Sequence, residues 1–252
     1  EYLKEHDRLK SEFVMTVSHE LRTPLTIFKN ILSNAMAGVM GKVPPKLLRN
    51  LEMADEAIGR LTSIINDFLD VSKLEVGKMK LYPETLSVQE TVSKLVEMIQ
   101  FVTDSKQIQL DLKIPEDTLY IHADYEKFTR VINNLIENAT KFVPENGGII
   151  TIEVEDRGER VGINVRDNGP GIHGDDKEKV FDRFVQVEKH VGPGKHGTGL
   201  GLAICRDLIQ LHSGRIWIED NPDGGAVFKI LLPKYHPEMV EQEEETLVAG
   251  HM

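Results

Sequence analysis

Residues 38–45, Gly38-Val39-Met40-Gly41-Lys42-Val43-Pro44-Pro45, decide the fold of the first third of the chain. Two glycines and two adjacent prolines can neither continue an α-helix nor supply its backbone hydrogen bonds. Apolar residues recur at helical spacing on both sides of this segment, over residues 13–35 and 47–74. The segment therefore predicts a turn between two long antiparallel helices.

Each of these predicted helices is apolar along one side. Six apolar residues of the first helix fall within about 40° of Val17 at about 100° per residue: Phe13, Leu21, Pro24, Phe28, Ile31 and Ala35. The second helix repeats apolar residues at three- and four-residue steps. Because a hairpin cannot cover two such stripes by itself, residues 1–75 are predicted to form a dimeric four-helix bundle with a second copy. We expect a homodimer.

The rest of the chain mixes helical and strand patterns. Residues 76–83 are charged, contain Gly77 and end at Pro83, which is typical of a hinge. Residues 84–235 predict an α+β sandwich, with helices on one face of a sheet. Helices are expected at 86–103, 124–141 and 200–212, and strands at 108–114, 149–155, 161–167, 215–219 and 226–232. Asp124 can cap the second of these helices, and Asn221-Pro222-Asp223-Gly224-Gly225 connects the last two strands. The acidic tail, residues 236–252, is expected to be disordered.

Composition excludes several classes of function. The chain has 252 residues, with 30 Lys and Arg against 41 Asp and Glu, so its net charge of -11 disfavours nucleic acid. No apolar run approaches the roughly 18 residues that cross a bilayer, so we expect no membrane insertion of this stretch. A single cysteine, Cys205, can form no internal disulfide. These features favour a cytoplasmic location.

His19 is the first candidate for chemistry. It lies in Ser18-His19-Glu20-Leu21-Arg22-Thr23-Pro24, about 200° around the helix from Val17, so its ring is expected to face solvent. Glu20 could accept a hydrogen bond from one ring nitrogen and leave the other as a nucleophile. A helix-surface histidine without a chemical role is the alternative, and it stays open on these residues alone.

Two further sets have the chemistry of a nucleotide site. Asn134, Asn138 and Lys141 share one helical face, where amide oxygens can bind magnesium and an ammonium can meet phosphate. Asp167 opens Asp167-Asn168-Gly169-Pro170-Gly171-Ile172 directly after a predicted strand, and its carboxylate could accept a hydrogen bond from the amino group of adenine. A polar helix face and a plain turn are the respective alternatives.

A fourth set, Gly197-Thr198-Gly199-Leu200-Gly201-Leu202, opens a helix. Its glycines expose backbone N–H groups at the positive helix end, which attracts phosphate. The third glycine comes too early for the dinucleotide fingerprint, and His196 follows Gly194-Lys195 where a P-loop requires Ser or Thr. Residues 174–196 between the third and fourth sets are long for a loop, and such loops often form lids.

Together these motifs resemble the transmitter region of a sensor histidine kinase of a bacterial two-component system. In chain order they are similar to the family's phosphoacceptor box (18–25), N box (134–142), G1 box (167–172), F box (181–184) and G2 box (197–202). The resemblance implies the ATP-binding fold shared with gyrase, the MutL repair proteins and a heat-shock chaperone. It also implies a receiver domain of a response regulator as partner.

The resemblance implies a role for each candidate residue. His19 would take the γ-phosphoryl group of ATP, Glu20 would act as the base, and Thr23 would position water when the protein dephosphorylates its partner. Asn138 would hold Mg²⁺. The remaining ATP-binding residues would be Asn134 and Lys141 near the phosphates, Asp167, Gly169, Gly171 and Phe142 near adenine, Phe181 and Phe184 at the lid, and Gly197, Thr198, Gly199, Leu200 and Gly201 around the phosphates.

Two positions distinguish this sequence from relatives of the same fold. ATP-hydrolysing relatives have a glutamate where this chain has Asn134, so water lacks its base and the phosphoryl acceptor must come from elsewhere. Gln186 replaces an arginine of many kinases. The resemblance thus implies autophosphorylation of His19, transfer of the phosphoryl group to an aspartate of the regulator, and phosphatase activity toward that regulator. The alternatives are an ATPase that drives a conformational change and a dimeric adaptor without ATP binding.

Overall fold

The computed structural model describes residues 2–39, 41–186 and 198–237 of the chain. Within the first helix it leaves the side chains of residues 2–13, Met15 and His19 undescribed. The chain divides into two compact units, Glu1–Lys80 and Leu81–Met252.

The first unit is a helical hairpin, as the sequence predicts. Helix α1 spans Tyr2–Met36 and helix α2 spans Pro45–Glu75. Pro44 is the N-cap of α2, where a missing N–H costs nothing, and Gly38 turns the chain with a positive φ of 73°. The Arg22 side chain donates to Asn66 Oδ1 at 3.0 Å and so links the two helices.

An apolar stripe stays uncovered on this hairpin. On α1 the side chains of Leu21, Phe28 and Ile31 are exposed, and Phe28 keeps 55% of its surface accessible. On α2, Leu61 and Phe68 are also exposed. The face that the sequence assigned to a bundle core is therefore apolar and open in the single chain.

The second unit is an α+β sandwich. Its elements are β1 Glu84–Ser87, α3 Val88–Ser105, β2 Gln109–Lys113, β3 Tyr120–Ala123, α4 Tyr125–Phe142, β4 Ile149–Asp156, β5 Arg160–Asp167, α5 Gly201–Leu211, β6 Arg215–Asp220 and β7 Ala226–Pro233. Short 3₁₀ turns lie at Gly174–Asp176 and Lys179–Phe181. Among the described residues, five strands form a sheet in the order β2-β4-β5-β7-β6, in which the β2–β4 pair is parallel and the other pairs are antiparallel. Strands β1 and β3 pair in a separate two-stranded sheet.

Helix α4 carries much of the core of this unit. Its N-cap is Asp124, whose Oδ1 accepts a hydrogen bond from the Lys127 N–H at 3.1 Å, as the sequence predicts. The buried apolar side chains of α4 recur at three- and four-residue steps: Phe128, Val131, Ile132, Leu135, Ile136 and Ala139. Because these residues face the sheet, the polar side chains of Asn134 and Asn138 lie on a different, partly exposed side.

Two features of the second unit differ from the sequence predictions. Leu86 was expected inside a helix, but it lies in β1, and Ser87 Oγ caps α3 by accepting from the Glu90 N–H at 3.3 Å. Strand β3 was not predicted. Both strands have only four residues, too few to show a period-two pattern, and they are stabilised by pairing with each other.

Some predictions concern residues outside the described ranges. The acidic tail was expected to be disordered, but of that tail only His236 and Pro237 are described. Across the described ranges, no helix contains a stretch that is long and apolar enough to span a membrane.

Candidate functional site

Main-chain donors hold the carboxylate of Asp167 at the end of β5. Its Oδ1 accepts hydrogen bonds from the N–H of Gly169 at 2.8 Å and of Ala226 at 3.3 Å. Burial raises the pKa of Asp167, and these two N–H donors partly oppose that rise. Among the described residues, Oδ2 of this carboxylate has no donor.

The turn between β6 and β7 also contacts Asp167. Asn221 Nδ2 donates to the Asp167 carbonyl oxygen at 2.8 Å. Gly225 has a φ of 97°, and a Cβ there would overlap that carbonyl oxygen and lie 2.8 Å from Asp167 Oδ1. The sequence predicts this segment only as a connection between two strands. The adjacent glycines signal a turn, but no local pattern shows which strand end they approach.

The glycines after Asp167 also allow close packing. A Cβ on Gly169 would lie 3.0 Å from the carbonyl oxygen of Phe142. Gly171 has a φ of 73°, and a Cβ there would lie 3.1 Å from the Gly225 carbonyl oxygen. The predicted adenine motif is thus in contact with the end of α4, where Phe142 lies, and with the β6–β7 turn.

The two asparagines of α4 form the next part of the site. Asn138 Nδ2 donates to Asn134 Oδ1 at 3.3 Å, and no group among the described residues donates to Asn138 Oδ1. A Cβ on Gly201 would lie 2.6 Å from Asn134 Nδ2, so the first turn of α5 approaches α4 at this asparagine. Lys141 is exposed one turn further along α4. The structure therefore brings the predicted asparagine and glycine motifs together.

The F-box residues contact the glycine motif. The Phe184 N–H donates to the Gly199 carbonyl oxygen at 2.8 Å, and the Leu200 N–H donates to Thr198 Oγ1 at 3.1 Å. Phe181 is buried, whereas the Phe184 side chain is exposed. Gly197 lies outside the described residues.

These contacts make one cradle in the second unit. The carboxylate of Asp167 is at one end, the amides of Asn134 and Asn138 lie on α4, and Gly201 at the start of α5 approaches Asn134. A buried acceptor suits a purine amino group, and helix-terminal N–H groups suit phosphate. Among the described residues no group of three His, Cys, Asp or Glu could hold a metal. The amide oxygen Oδ1 of Asn138 is a hard oxygen ligand, which suits a magnesium ion whose other ligands are phosphate and water.

The second predicted centre lies on α1. Glu20 and Thr23 are exposed there, and Ser18 is buried. The backbone of His19 belongs to the helix, but the direction of its side chain stays a prediction. Pro24 lies inside α1, as the sequence predicts. The structure describes the α1 residues and the cradle within separate units.

Comparison with known proteins gives two family matches that follow the two units. Residues 9–77 match the His Kinase A (phospho-acceptor) domain, and residues 123–236 match the histidine kinase-, DNA gyrase B-, and HSP90-like ATPase family. The sensor histidine kinase WalK of Bacillus subtilis is 34% identical over 242 residues, which are 95% of this chain and 39% of WalK. The alginate biosynthesis sensor protein KinB of Pseudomonas aeruginosa is 34% identical over 90% of this chain and 37% of KinB.

Solved structures agree with these matches. The catalytic domain of the histidine kinase ThkA is 30% identical, with a TM-score of 0.54, over 62% of this chain and 99% of that domain. Full-length ShkA in complex with AMPPNP is 26% identical, with a TM-score of 0.73, over 88% of this chain and 46% of ShkA. This chain belongs to the histidine kinases. It spans less than two fifths of the length of WalK and KinB.

Proposed function

We propose that this chain autophosphorylates His19 with the γ-phosphoryl group of ATP bound in the second unit. The observation that carries the proposal is the cradle itself, in which a buried carboxylate, two amides and a glycine-rich helix start come together. The same chain carries Ser18-His19-Glu20 on a helix of the phosphoacceptor family. The AMPPNP complex of ShkA supports the assignment of ATP as the nucleotide.

Each part of the cradle has a distinct task in binding ATP. Asp167 Oδ2 accepts a hydrogen bond from the adenine amino group, because Oδ1 is already used by Gly169 and Ala226. Asn138 Oδ1 would hold Mg²⁺, which neutralises charge on the phosphate oxygens when it is bound. The N–H groups at the start of α5 donate to phosphate oxygens. Lys141, Gly169, Gly171, Phe142 and the F-box residues Phe181 and Phe184 complete the proposed site.

The side chain at position 134 favours transfer over hydrolysis. Asn134 Oδ1 accepts a hydrogen bond from Asn138, and an amide cannot remove a proton from water at neutral pH. The acceptor must then come from elsewhere in the protein, and we assign this role to His19. One of its ring nitrogens forms a bond to the γ-phosphorus, the bond from that phosphorus to the β–γ bridging oxygen breaks, and ADP leaves. Glu20 accepts the proton from the other ring nitrogen.

The exposed stripe on the hairpin supports a homodimer. Val17, Leu21, Phe28 and Ile31 lie on α1 and are exposed in the single chain, although they are apolar. Burying such a stripe against a second copy completes a four-helix bundle and removes the apolar surface from water. We therefore place the dimer interface on this face.

The partner of the phosphorylated histidine is the receiver domain of a response regulator. We place the transfer of the phosphoryl group on an aspartate of that domain, and we assign Thr23 to positioning water in the reverse, phosphatase reaction. Thr23 suits that task because it is exposed one helical turn after His19. The chain would form the cytoplasmic transmitter portion of a longer sensor, since WalK and KinB are much longer than the stretch that matches.

The test is radiolabelling of the purified chain with γ-labelled ATP. We expect an acid-labile label on the wild-type chain and none on His19→Ala, with the same ATP dissociation constant for both in calorimetry. The matched control is His122→Ala, because His122 is an exposed histidine of the second unit that stacks on Tyr235 outside the cradle. Equal labelling of His19→Ala and the wild-type chain would refute the assignment of the acceptor.

A further inference from the structure

Two crossed ion pairs attach the F-box turn to the side of α5. Asp182 Oδ1 lies 3.3 Å from Arg206 Nη2, and Arg183 Nη2 lies 3.2 Å from Asp207 Oδ2. Asp182-Arg183 in the F-box turn thus faces Arg206-Asp207 in α5, and each acidic residue pairs with a basic residue of the other element. The guanidinium carbon of Arg206 also lies 5.8 Å from the centre of the buried Phe181 ring, within the range of a cation–π contact.

The same turn is bonded to the residues that lead into α5. The Phe184 N–H donates to Gly199, and a Cβ on Gly199 would lie 2.8 Å from the Phe184 carbonyl carbon. Phe184 itself has a φ of 64°, a conformation that costs energy for a phenylalanine and persists only when its surroundings hold it. The turn is therefore fixed to the glycine motif at one end and to Arg206 and Asp207 at the other.

The position of this turn matters because the glycine motif has little freedom. Gly201 approaches Asn134 so closely that a Cβ would lie 2.6 Å from Nδ2. A displacement of residues 198–201 therefore changes how the N–H groups at the start of α5 stand relative to Asn138. These are the groups to which the proposed function assigns the phosphates and magnesium.

We propose that Asp182, Arg183, Arg206 and Asp207 are positioning residues for the triphosphate of ATP. The crossed ion pairs hold the F-box turn on α5, and the turn holds the backbone of residues 198–201 in the geometry that phosphate requires. This inference rests on the proposed function, because it assigns a task to residues around the same nucleotide. None of the four side chains needs to touch ATP.

The exposure of the pairs predicts how their removal should behave. Between 25% and 58% of each of the four side chains is accessible to solvent, so water and salt screen the pairs. Loss of one such pair changes an equilibrium by only about 2- to 5-fold. We therefore expect a small, salt-dependent effect on phosphate binding and little effect on folding. Adenosine, which lacks phosphates, should bind unchanged, because Asp167 lies at the other end of the cradle.

The experiment measures dissociation constants by calorimetry for Mg·ATP and for adenosine on the full chain. The variants are Arg183→Asp, Asp207→Arg and the double charge swap, with Asp182→Asn and Arg206→Gln as milder changes that keep the test informative if a reversal unfolds the chain. The matched control is Asp156→Asn, which removes a comparable ion pair with Lys234 at 2.7 Å, outside α5 and the F-box turn. Circular dichroism melting reports folding.

We expect each single charge reversal to raise the dissociation constant of Mg·ATP at least about 5-fold, because it adds repulsion to the loss of an ion pair. Each neutral variant should raise this constant about 2- to 5-fold. The double swap should restore wild-type binding, and the ratio of variant to wild type should approach one at about 1 M salt. Asp156→Asn should bind as the wild type does.

Three results would overturn the inference: folded variants that bind Mg·ATP like the wild type, equal weakening for adenosine and Mg·ATP, or a folded double swap without recovery. A wild-type chain that binds no Mg·ATP would instead overturn the proposed function itself.

Discussion

Replacing Asp167 by asparagine should change which base the cradle accepts. The N–H groups of Gly169 and Ala226 both donate to Oδ1, so an asparagine must place its amide oxygen there. Its NH₂ group then takes the position of Oδ2. A donor would face the adenine amino group, which is also a donor, and the hydrogen bond would be lost.

The size of the expected loss of ATP affinity follows from the kind of hydrogen bond that the substitution removes. A bond to a charged group contributes about 1.5–3 kcal/mol, which corresponds to a rise of about 10- to 150-fold in the dissociation constant of ATP. Inosine triphosphate carries an oxygen acceptor in place of the amino group, so it should bind Asp167→Asn more tightly than it binds the wild type. Purine riboside triphosphate lacks a group at this position and serves as the control. Its affinity should change by less than about 3-fold, because it makes no hydrogen bond to Asp167 that the substitution could remove.

Calorimetry with the three nucleotides measures this preference directly. A uniform loss of affinity for all three would refute the reasoning, because it would mean that the substitution distorts the turn and does not exchange an acceptor for a donor. Asp223→Asn is a suitable protein control, since Asp223 belongs to the same β6–β7 turn but its carboxylate makes no hydrogen bond with the described residues.

The protonation of the Asp167 carboxylate should also affect how ATP binding and stability of the wild type depend on pH. Burial raises the pKa of Asp167, so the folded chain takes up its proton at a higher pH than the unfolded chain does. As the pH falls through this raised pKa, ATP binding should weaken because the acceptor is protonated. Stability should move the other way: relative to Asp167→Asn, the wild type should gain stability on acidification, and that gain is complete below the unfolded pKa.

Three further predictions concern the metal, the dimer and a helix cap. Asn138→Ala should weaken ATP binding at least about 10-fold in magnesium but much less in EDTA, since it removes one oxygen ligand of the metal. Equal losses of ATP affinity under both conditions in calorimetry would contradict the metal role. Phe28→Glu should give a monomer in analytical ultracentrifugation, whereas Phe101→Glu, at an 83% exposed position of the second unit, should leave the dimer intact. Asp124→Ala should lower the free energy of unfolding by about 1–3 kcal/mol, because Asp124 caps α4 and accepts the Tyr82 N–H at 2.9 Å. Asp124→Asn keeps the cap and should recover at least half of that loss in urea denaturation.

The helical hairpin could be predicted because its signals are local and repeated. The Gly38 and Pro44 positions interrupt two long periodic stretches, and the structure ends α1 and begins α2 at the same places. The Asp124 cap and the β4–β5 hairpin are local in the same sense. Strands β1 and β3 escaped prediction because each is short and is stabilised by a partner more than thirty residues away.

Local patterns predicted the parts of the cradle one by one, but they did not predict the contacts between these parts. Nothing in the spacing of Asn134 and Gly201 shows that a Cβ on the glycine would meet the amide, since the contact depends on how α4 and α5 pack. Asn221 and Gly225 were missed for the same reason. They reach Asp167 only because β5 and β7 pair in a register that brings the β6–β7 turn to the end of β5. The order of the motifs supplied what the spacing could not, namely that they belong to one site.

The chemistry at position 134 gives a physical reason for the division into two units. The cradle holds amides where hydrolysis needs a carboxylate, and Asn134 is already committed to Asn138 and packed on Gly201. In the proposed function, a bound ATP meets no base at position 134 that would activate water, so transfer requires a nucleophile from a separate element. If His19 is that nucleophile, the rate of transfer depends on how often the hairpin presents it to the nucleotide in line with the leaving group. Residues 76–83, which join the two units, are then the place where a signal can change the rate without altering either set of chemical groups.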